Sequence, residues 1–434
     1  MSEKNISGIT KIAVKGFKSI AEACEIDIRP LTILAGANSS GKSSIMQPLL
    51  MLKQTLEAPY DPGALLLDGP NVQFTEAEQF LSKLTAEKRT DRFQIEIKTR
   101  DSDFAYSVKT ALKKEQMGFK IVKMKVEAQQ RTKQIPFKRF TLYPEMSTEE
   151  IRALGDQGPT RSDFKAVKRS RCFLCFESQE SDRLFNVTYS LVESYLFDSI
   201  HLPGLRGNPE RTYKLTSTGP LYPGTFEYYT ASIVHEWQET KDERLKMVAD
   251  ALHILGLTGH VCTKKIGDVG IELQVGRSLH DGTENTDMVN IADVGFGVSQ
   301  VLPVIVALTA AEPGRLVYLE QPELHLHPRA QVALAQVLAD AAKRGVRVVA
   351  ETHSSLVLLA VQTLIAEGDL SPELVKLHWF TRREDGVTEV NSADLDEAGT
   401  YGEWPEDFAD VSLHAQSRFL DAVDNVRFGD KEAS

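Results

Sequence analysis

Between two apolar runs near the N-terminus, Leu31 to Ala35 and Ser43 to Thr55, the chain reads Gly36-Ala37-Asn38-Ser39-Ser40-Gly41-Lys42-Ser43, a GxxxxGK[ST] pattern. The first run has the length of a buried strand. The second, rich in Leu, Met and Ile, has that of a helix whose first turns can hold Pro48. Strand, glycine-rich loop and helix in that order make an anion cradle: glycines let the backbone wrap closely, its amides point inward, and the helix N-terminus adds partial positive charge. The residues expected to hold a nucleotide are Gly36, Asn38, Ser39, Ser40, Gly41, Lys42, Ser43 and Ser44. Lys42 is expected to reach the β and γ phosphates and the Ser43 hydroxyl to ligate Mg²⁺.

Three more elements follow far along the chain. Leu316-Val317-Tyr318-Leu319-Glu320-Gln321-Pro322-Glu323 is an apolar strand that delivers a carboxylate at its end, which marks Glu320 as the metal-side acid. Gly295-Phe296-Gly297-Val298-Ser299-Gln300 precedes an apolar helix, and small residues at a helix start can approach a phosphate. Val348-Val349-Ala350-Glu351-Thr352-His353-Ser354 is a strand ending in a polar histidine, at the place where ligands collect on a parallel sheet.

At 434 residues the chain exceeds one ordinary core, so one large α/β domain with a sizeable insertion, or two domains folded around each other, is expected. The last third alternates strands and helices, as a mostly parallel sheet requires. Residues Phe93 to Leu142 alternate apolar and polar positions like an antiparallel sheet with one wet face, and Met146 to Arg171 reads as polar and helical. The expected division is residues 1–79 and 196–434 as the two parts of the core, with 80–195 an inserted β-plus-helix module. From Lys83 to Arg171 there are 22 Lys and Arg against 12 Asp and Glu, although the whole chain carries −11. The Lys120 to Arg171 region is therefore the candidate for nucleic-acid contact. Cys172 and Cys175 form a CxxC, but Cys24 and Cys262 supply no second pair, so ordinary thiols are expected. No apolar stretch reaches the eighteen or so residues of a membrane span. Met1 to Thr10 is polar and lacks a secretory apolar run, which makes the cytoplasm the expected compartment.

In this order the four elements resemble ABC-type ATPases, in the branch that holds SMC-like proteins and the ATPase domain of the overcoming-lysogenization-defect nucleases. The resemblance rests on Lys15-Gly16-Phe17-Lys18-Ser19-Ile20, the Gly36 loop, Leu319 to Pro328 and Glu351-Thr352-His353-Ser354, and leaves roughly residues 80 to 195 uncovered. A narrower resemblance, to small bacterial ATPases often associated with phage defence, rests on His201 to Arg206, the Gly295 turn and Glu403 to Phe408. It implies ATP with Mg²⁺ as cofactors and a homodimer, or an assembly of dimers, that sandwiches two nucleotides. Gly295, Gly297, Ser299 and Gln300 then stand for the signature that meets the partner's nucleotide, His327 lies in the D-loop, and His353 is the switch histidine. The usual water-polarising carboxylate is Gln321 here, and the resemblance leaves either Gln321 or Glu323 to position the attacking water. Gln can orient water but cannot take its proton, so slow hydrolysis is expected. Gln73 is placed as the Q-loop metal contact from position alone.

The leading expectation is thus an ATP-gated switch or scaffold for an effector encoded nearby, in antiphage defence, with no membrane partner. The alternative is a DNA-binding SMC-like ATPase in repair or maintenance. A nuclease in the same chain is disfavoured: Asp394-Leu395-Asp396 lacks a surrounding βαβ pattern, and about eighty residues follow His353. A transporter subunit is disfavoured by the basic insertion, and a long-armed clamp by the lack of heptads.

Overall fold

The structure, a computed structural model, describes residues 7–83, 89–130, 138–154, 164–178, 183–185, 190–277, 287–402 and 417–418. The C-terminal stretch Glu403 to Phe408 lies outside them. Along the chain, β1 (Gly8–Lys15) and β2 (Cys24–Asp27) precede β3 (Leu31–Gly36), which feeds through the glycine loop into α1 (Lys42–Glu57). A meander follows: β4 (Arg92–Arg100), β5 (Phe104–Lys114), β6 (Phe119–Gln130) and β7 (Lys138–Leu142). Next come α2 (Thr148–Arg152), β8 (Phe164–Ser170), β9 (Phe173–Ser178), β10 (Leu184–Phe185), α3 (Ser190–Asp198), β11 (Ile200–Leu202) and β12 (Tyr213–Lys214). Then α4 (Thr230–Thr240), α5 (Arg244–Ile254), β13 (Val261–Ile266), β14 (Gly270–Gly276) and β15 (Met288–Asn290) lead into α6 (Phe296–Ala310). The chain goes on through β16 (Leu316–Glu320), α7 (Pro328–Lys343), β17 (Arg347–Glu351), α8 (Ser355–Ala366), β18 (Val375–Arg382) and β19 (Thr388–Ala393).

The central sheet has the order β11-β16-β17-β3-β18-β19, parallel except for β19. Side chains alternate between its faces. Val317, Leu319, Val348 and Ala350 enter one apolar cluster with α4 to α8, whereas Leu316, Tyr318 and Val349 enter the other with α1. By the same period of two, Glu320 and Glu351, at the carboxyl ends of adjacent strands and in register, fall on the α1 side. The fold is thus the expected α/β P-loop core with a mixed, largely parallel sheet.

The second layer is antiparallel, in the order β2-β1-β4-β5-β6-β7. Because β1 pairs with β4, this sheet runs across residue 79, joining residues of the N-terminal part to those of the meander. A ring cluster of Phe17, Phe74, Phe80, Phe93 and Phe119 fills its inner side. Fully buried Arg347 fastens the layers, donating from Nε to the Ser7 carbonyl and from Nη1 to the Ile28 carbonyl, both at 2.7 Å.

The stretch Met146 to Arg171 differs from its helical expectation. Among its described residues only Thr148–Arg152 is helical, started by a capping box between Ser147 and Glu150, while Phe164–Ser170 is a strand on β9. Phe164 and Val167 are buried there, and the intervening lysines mimicked a solvated helix. No helix of the described residues is long and apolar enough to cross a membrane.

His378 on β18 is completely buried between Ser392 Oγ, 2.7 Å from Nδ1, and the Asp27 carbonyl, 2.9 Å from Nε2. Burial, with Lys376 and Arg29 nearby, pushes it down to about 4. The unfolded chain takes this proton near pH 6.5, so stability is present above that value and falls by about 3 kcal/mol as pH drops to 4. Urea midpoints should show His378→Gln with a shallower acid loss than the parent between pH 7 and 5; equal slopes would exclude His378 as the source.

Candidate nucleotide site at the carboxyl end of the parallel sheet

All six residues of β3 are buried, so the chain reaches its loop as a fixed strand. Gly36 then turns at φ 140°, where a Cβ would lie 2.3 Å from the Phe380 carbonyl, and Gly41 turns at φ 107°, where one would lie 2.4 Å from Thr388 Oγ1. Only glycine fits either position. No side chain caps α1, which leaves its first amides facing outward. A cleft of about 710 Å³ opens over the loop. Asn38, Ser39, Ser40, Gly41, Lys42, Ser43 and Ser44 all line it, as do Gln321 and His353 from the far end of the chain. Lys42 Nζ donates to the carbonyls of Gly36 at 3.0 Å and Ala37 at 2.7 Å. Burial lowers its pKa, opposed by Glu351 and Glu323. Ser40 Oγ and Gln47 Oε1 are buried beside the cleft without partners among the described residues. Polar atoms in that condition fit a polar occupant.

The two strand-end carboxylates have different partners. Glu351 lines the cleft, accepting from Ser43 Oγ and from Tyr318 Oη, both at 2.9 Å. Burial and the charge of Glu320 raise its pKa against the pull of these donors and of Lys42. Glu320, the acid expected on the metal side, lies 3.2 Å from His201 Nε2 and accepts from the Gly204 amide at 3.2 Å. Burial would raise Glu320, but His201, Gly204 and Arg206 bring its pKa below the usual value. Asn71 Oδ1 stands 3.1 Å from His201 Nδ1, which completes a chain from Asn71 through His201 to Glu320. The structure therefore sets Glu351 against Ser43 and Glu320 one strand further out. Sequence reasoning quoted Glu351 only as part of a strand terminus and missed Tyr318, Asn71 and His201. Equal spacing of a terminal Glu on two apolar strands was the available signal.

Gln321 has φ 45°, with its amide donating to the Glu351 carbonyl at 2.8 Å. Glu323 is buried away from the cleft, and its Oε1 accepts from Thr352 Oγ1 at 2.6 Å and from the His353 amide at 3.0 Å. It braces the turn that carries His353. Burial and Lys42 hold the His353 imidazole below its usual pKa, against Glu323 and a bond to the Gly36 backbone.

The Gly295 turn does not line this cleft. Gly295 is the N-cap of α6, Phe296 is 51% exposed, and Gly297 packs on the His325 carbonyl and Leu326. Ser299 and Gln300 point inward: Ser299 Oγ donates to the Phe296 carbonyl at 3.1 Å and Gln300 Nε2 to the Gly207 carbonyl at 2.8 Å. His327 is exposed and caps α7, its Nδ1 accepting from the Arg329 amide. Gln73 is exposed, bridged to Asp68, and absent from the cleft. Arg206 joins the two regions, donating from Nη1 to the Gln300 carbonyl at 3.1 Å and from Nη2 to the carbonyls of Glu320 and Gln321 at 2.8 and 3.1 Å.

Strand, loop and paired strand ends define a P-loop ATPase fold. Two family descriptions match parts of the chain: "AAA ATPase domain" over residues 8–182, and "AAA domain, putative AbiEii toxin, Type IV TA system" over residues 223–360. No curated protein matches. Solved structures similar to it include the SmcHead bound to the C-winged helix domain of ScpA, at 13% identity over 90% of this chain and 99% of that one, with a TM-score of 0.49. The SMC head domain from Thermotoga maritima gives 12%, 89%, 100% and 0.42. The Smc head with an extended coiled coil bound to the C-terminal domain of ScpA, derived from Pyrococcus furiosus, gives 11%, 96%, 100% and 0.47.

Removing the Tyr318 hydroxyl leaves buried Glu351 Oε2 without its donor. Tyr318→Phe should cost about 1–3 kcal/mol in unfolding free energy. A denaturant midpoint equal to the parent's would show that this bond does not hold the carboxylate.

Proposed function

We propose that this chain is an ABC-type ATPase in which two copies close around two ATP molecules, hydrolyse them slowly, and by closing and opening control an effector protein in trans. The supporting observation is the surface formed by the Gly295 turn and the Leu324 to Pro328 segment. It is exposed at Gly295, Phe296, His325 and His327, lies outside the chain's own phosphate cleft, and offers a helix N-terminus without a side-chain cap. Such a face has a use if a second copy's cleft closes on it. Backbone amides at Gly295 to Gly297 would then meet the partner's phosphates, since Ser299 and Gln300 serve the fold.

Within one copy, the loop amides and Lys42 receive the triphosphate, with Nζ exchanging the Gly36 and Ala37 carbonyls for phosphate oxygens. Ser43 and Glu351 offer the hydroxyl and carboxylate that fit Mg²⁺, which takes few protein ligands and keeps phosphate and water oxygens. Bound there, Mg²⁺ would neutralise charge on the β and γ phosphates. Gln321 orients the attacking water without accepting its proton, and His353, poorly protonated, donates to or accepts from the terminal phosphate side. The absence of a carboxylate at position 321 is what makes the enzyme slow. An ATP ligand shifts the assembly only as far as it binds closed better than open. The effector and the antiphage setting follow from the resemblance to small defence ATPases.

Glu351→Gln should weaken Mg²⁺-dependent ATP binding by about 10- to 100-fold, with Glu320→Gln milder, as read by calorimetric titration with and without Mg²⁺. Equal losses would return the metal side to Glu320. Light scattering should show dimers of the parent with ATP. Lys42→Ala and Phe296→Asp should each abolish turnover alone and partly restore it when mixed, because the mixed dimer contains one intact composite site. A parent that stays monomeric with ATP, or a mixture as inactive as its components, excludes the sandwich.

A further inference from the structure

A second cleft, of about 730 Å³, lies between α4, α6 and β14, with Arg206 in its wall. Its wall carries three buried polar atoms that have no hydrogen-bond partner among the described residues: Arg206 Nε, Glu227 Oε2 and Thr230 Oγ1. Arg206 is 8% exposed and Thr230 4%. Leu273, Ile291 and Leu302 supply apolar surface between them, and the largely exposed Leu205 and Tyr228 complete it. Nothing in the nucleotide reading uses this cavity.

The guanidinium is the main clue. Its Nη1 donates to the Gln300 carbonyl and its Nη2 to those of Glu320 and Gln321, and among the described residues no carboxylate forms an ion pair with it. Burial pulls it down to about 10, partly offset by Glu227, Glu323 and Glu320 at longer range. A buried guanidinium whose hydrogen bonds go only to carbonyls, and whose Nε has no partner among the described residues, can accept a direct anionic partner from this cavity. Glu227 makes no hydrogen bond to this guanidinium: Oε1 accepts from Thr225 Oγ1 at 2.8 Å, Oε2 has no partner among the described residues, and burial raises its pKa against the pull of Thr225, His201 and Arg206. Two unpartnered donors, Arg206 Nε and Thr230 Oγ1, in the wall of one cavity suit an acceptor-rich, negatively charged group.

We propose that this cleft binds a small molecule carrying one oxyanion, a carboxylate or a phosphate, on an apolar or aromatic body, with the oxyanion received by Arg206 Nε and Thr230 Oγ1. Leu273, Ile291 and Leu302 hold the body, and Glu227 borders the site. The occupant then sits one side chain away from the turn that carries Gln321.

Benzoate and phenyl phosphate are suitable probes, read by saturation-transfer NMR on the full chain. At least one of them should show transfer to its ring protons, and the stronger of the two identifies the oxyanion as carboxylate or phosphate. Thr230→Val, which keeps volume and removes the hydroxyl, should weaken binding at least threefold, and Arg206→Gln should abolish it. Glu227→Gln, a permanent donor, should bind at least as tightly as the parent. Lys42→Ala should retain binding and Mg²⁺-ATP should not compete, which separates this site from the nucleotide cleft. If neither probe shows transfer, if ATP displaces the bound probe, or if binding survives unchanged in both Thr230→Val and Arg206→Gln, the proposal is overturned. Thr230→Val keeps the test valid where Arg206→Gln fails to fold.

Discussion

The register between β16 and β17 is the constraint on which the site depends. Parallel pairing of Leu316 with Arg347 through to Glu320 with Glu351 puts two carboxylates side by side at the ends of buried strands, on the face that α1 enters. A slip of one residue would turn one of them away from the other and into the opposite apolar cluster. Two adjacent buried anions repel, and the surroundings settle this by giving each its own donors. Glu320 takes His201, Gly204 and the field of Arg206, while Glu351 takes Ser43, Tyr318 and the field of Lys42. The opposite pKa directions follow from that division: the better-donated acid is held ionised, and the one left facing the cleft is available to exchange a weak partner for a cation.

Arg206 carries the same logic beyond the sheet. Carbonyl oxygens at the end of one strand and inside the second turn of α6 are normally satisfied within their own elements or by water. Here one guanidinium spans them. A planar fork with fixed geometry transmits displacement better than a flexible ammonium could. Movement of the α6 N-terminus, where a partner's phosphate is proposed to dock, therefore bears on the peptide that aims Gln321. The bracing of His353 by Glu323 ties the third element to the same turn.

The legible parts of this chain were those in which local pattern and tertiary role coincide. Gly36 to Ser43 must follow a strand and open a helix to work as an anion cradle, and the glycines at 36 and 41 occupy positions that no other residue fits. The period-two run of Phe93 to Leu142 became an antiparallel meander because one of its faces packs on the phenylalanine cluster. What remained hidden depends on long-range register. Nothing near Glu351 announces that Ser43, 308 residues away, will donate to it. His201 belongs to a segment that carries a resemblance, but its role shows only when β11 lays it against Tyr318 at a ring separation of 5.4 Å. The buried roles of Ser299 and Gln300 were likewise invisible, since a helix start has the same composition whichever way its first turn rolls.

The basic module shows the difference between charge carried and charge available. Its outer face is crossed by lateral pairs: Lys98 and Lys109 share Glu96, Lys125 and Arg139 share Glu127, and Lys113 meets Asp91. Cross-strand neighbours of opposite sign are worth a few tenths of a kcal/mol to sheet pairing and lower the field offered to an outside anion. In the run Lys165, Lys168, Arg169 and Arg171, three of the four are committed. Lys165 faces Glu177, Arg169 grips Asp61 with both Nη groups, and Arg171 caps the end of α1 through the carbonyls of Thr55 and Leu56. These contacts clamp the module onto the helix that begins at the phosphate loop. A surplus of cations that reads as a nucleic-acid face in composition thus serves in part as a fastening to the core, while Lys120 and Lys168 are exposed.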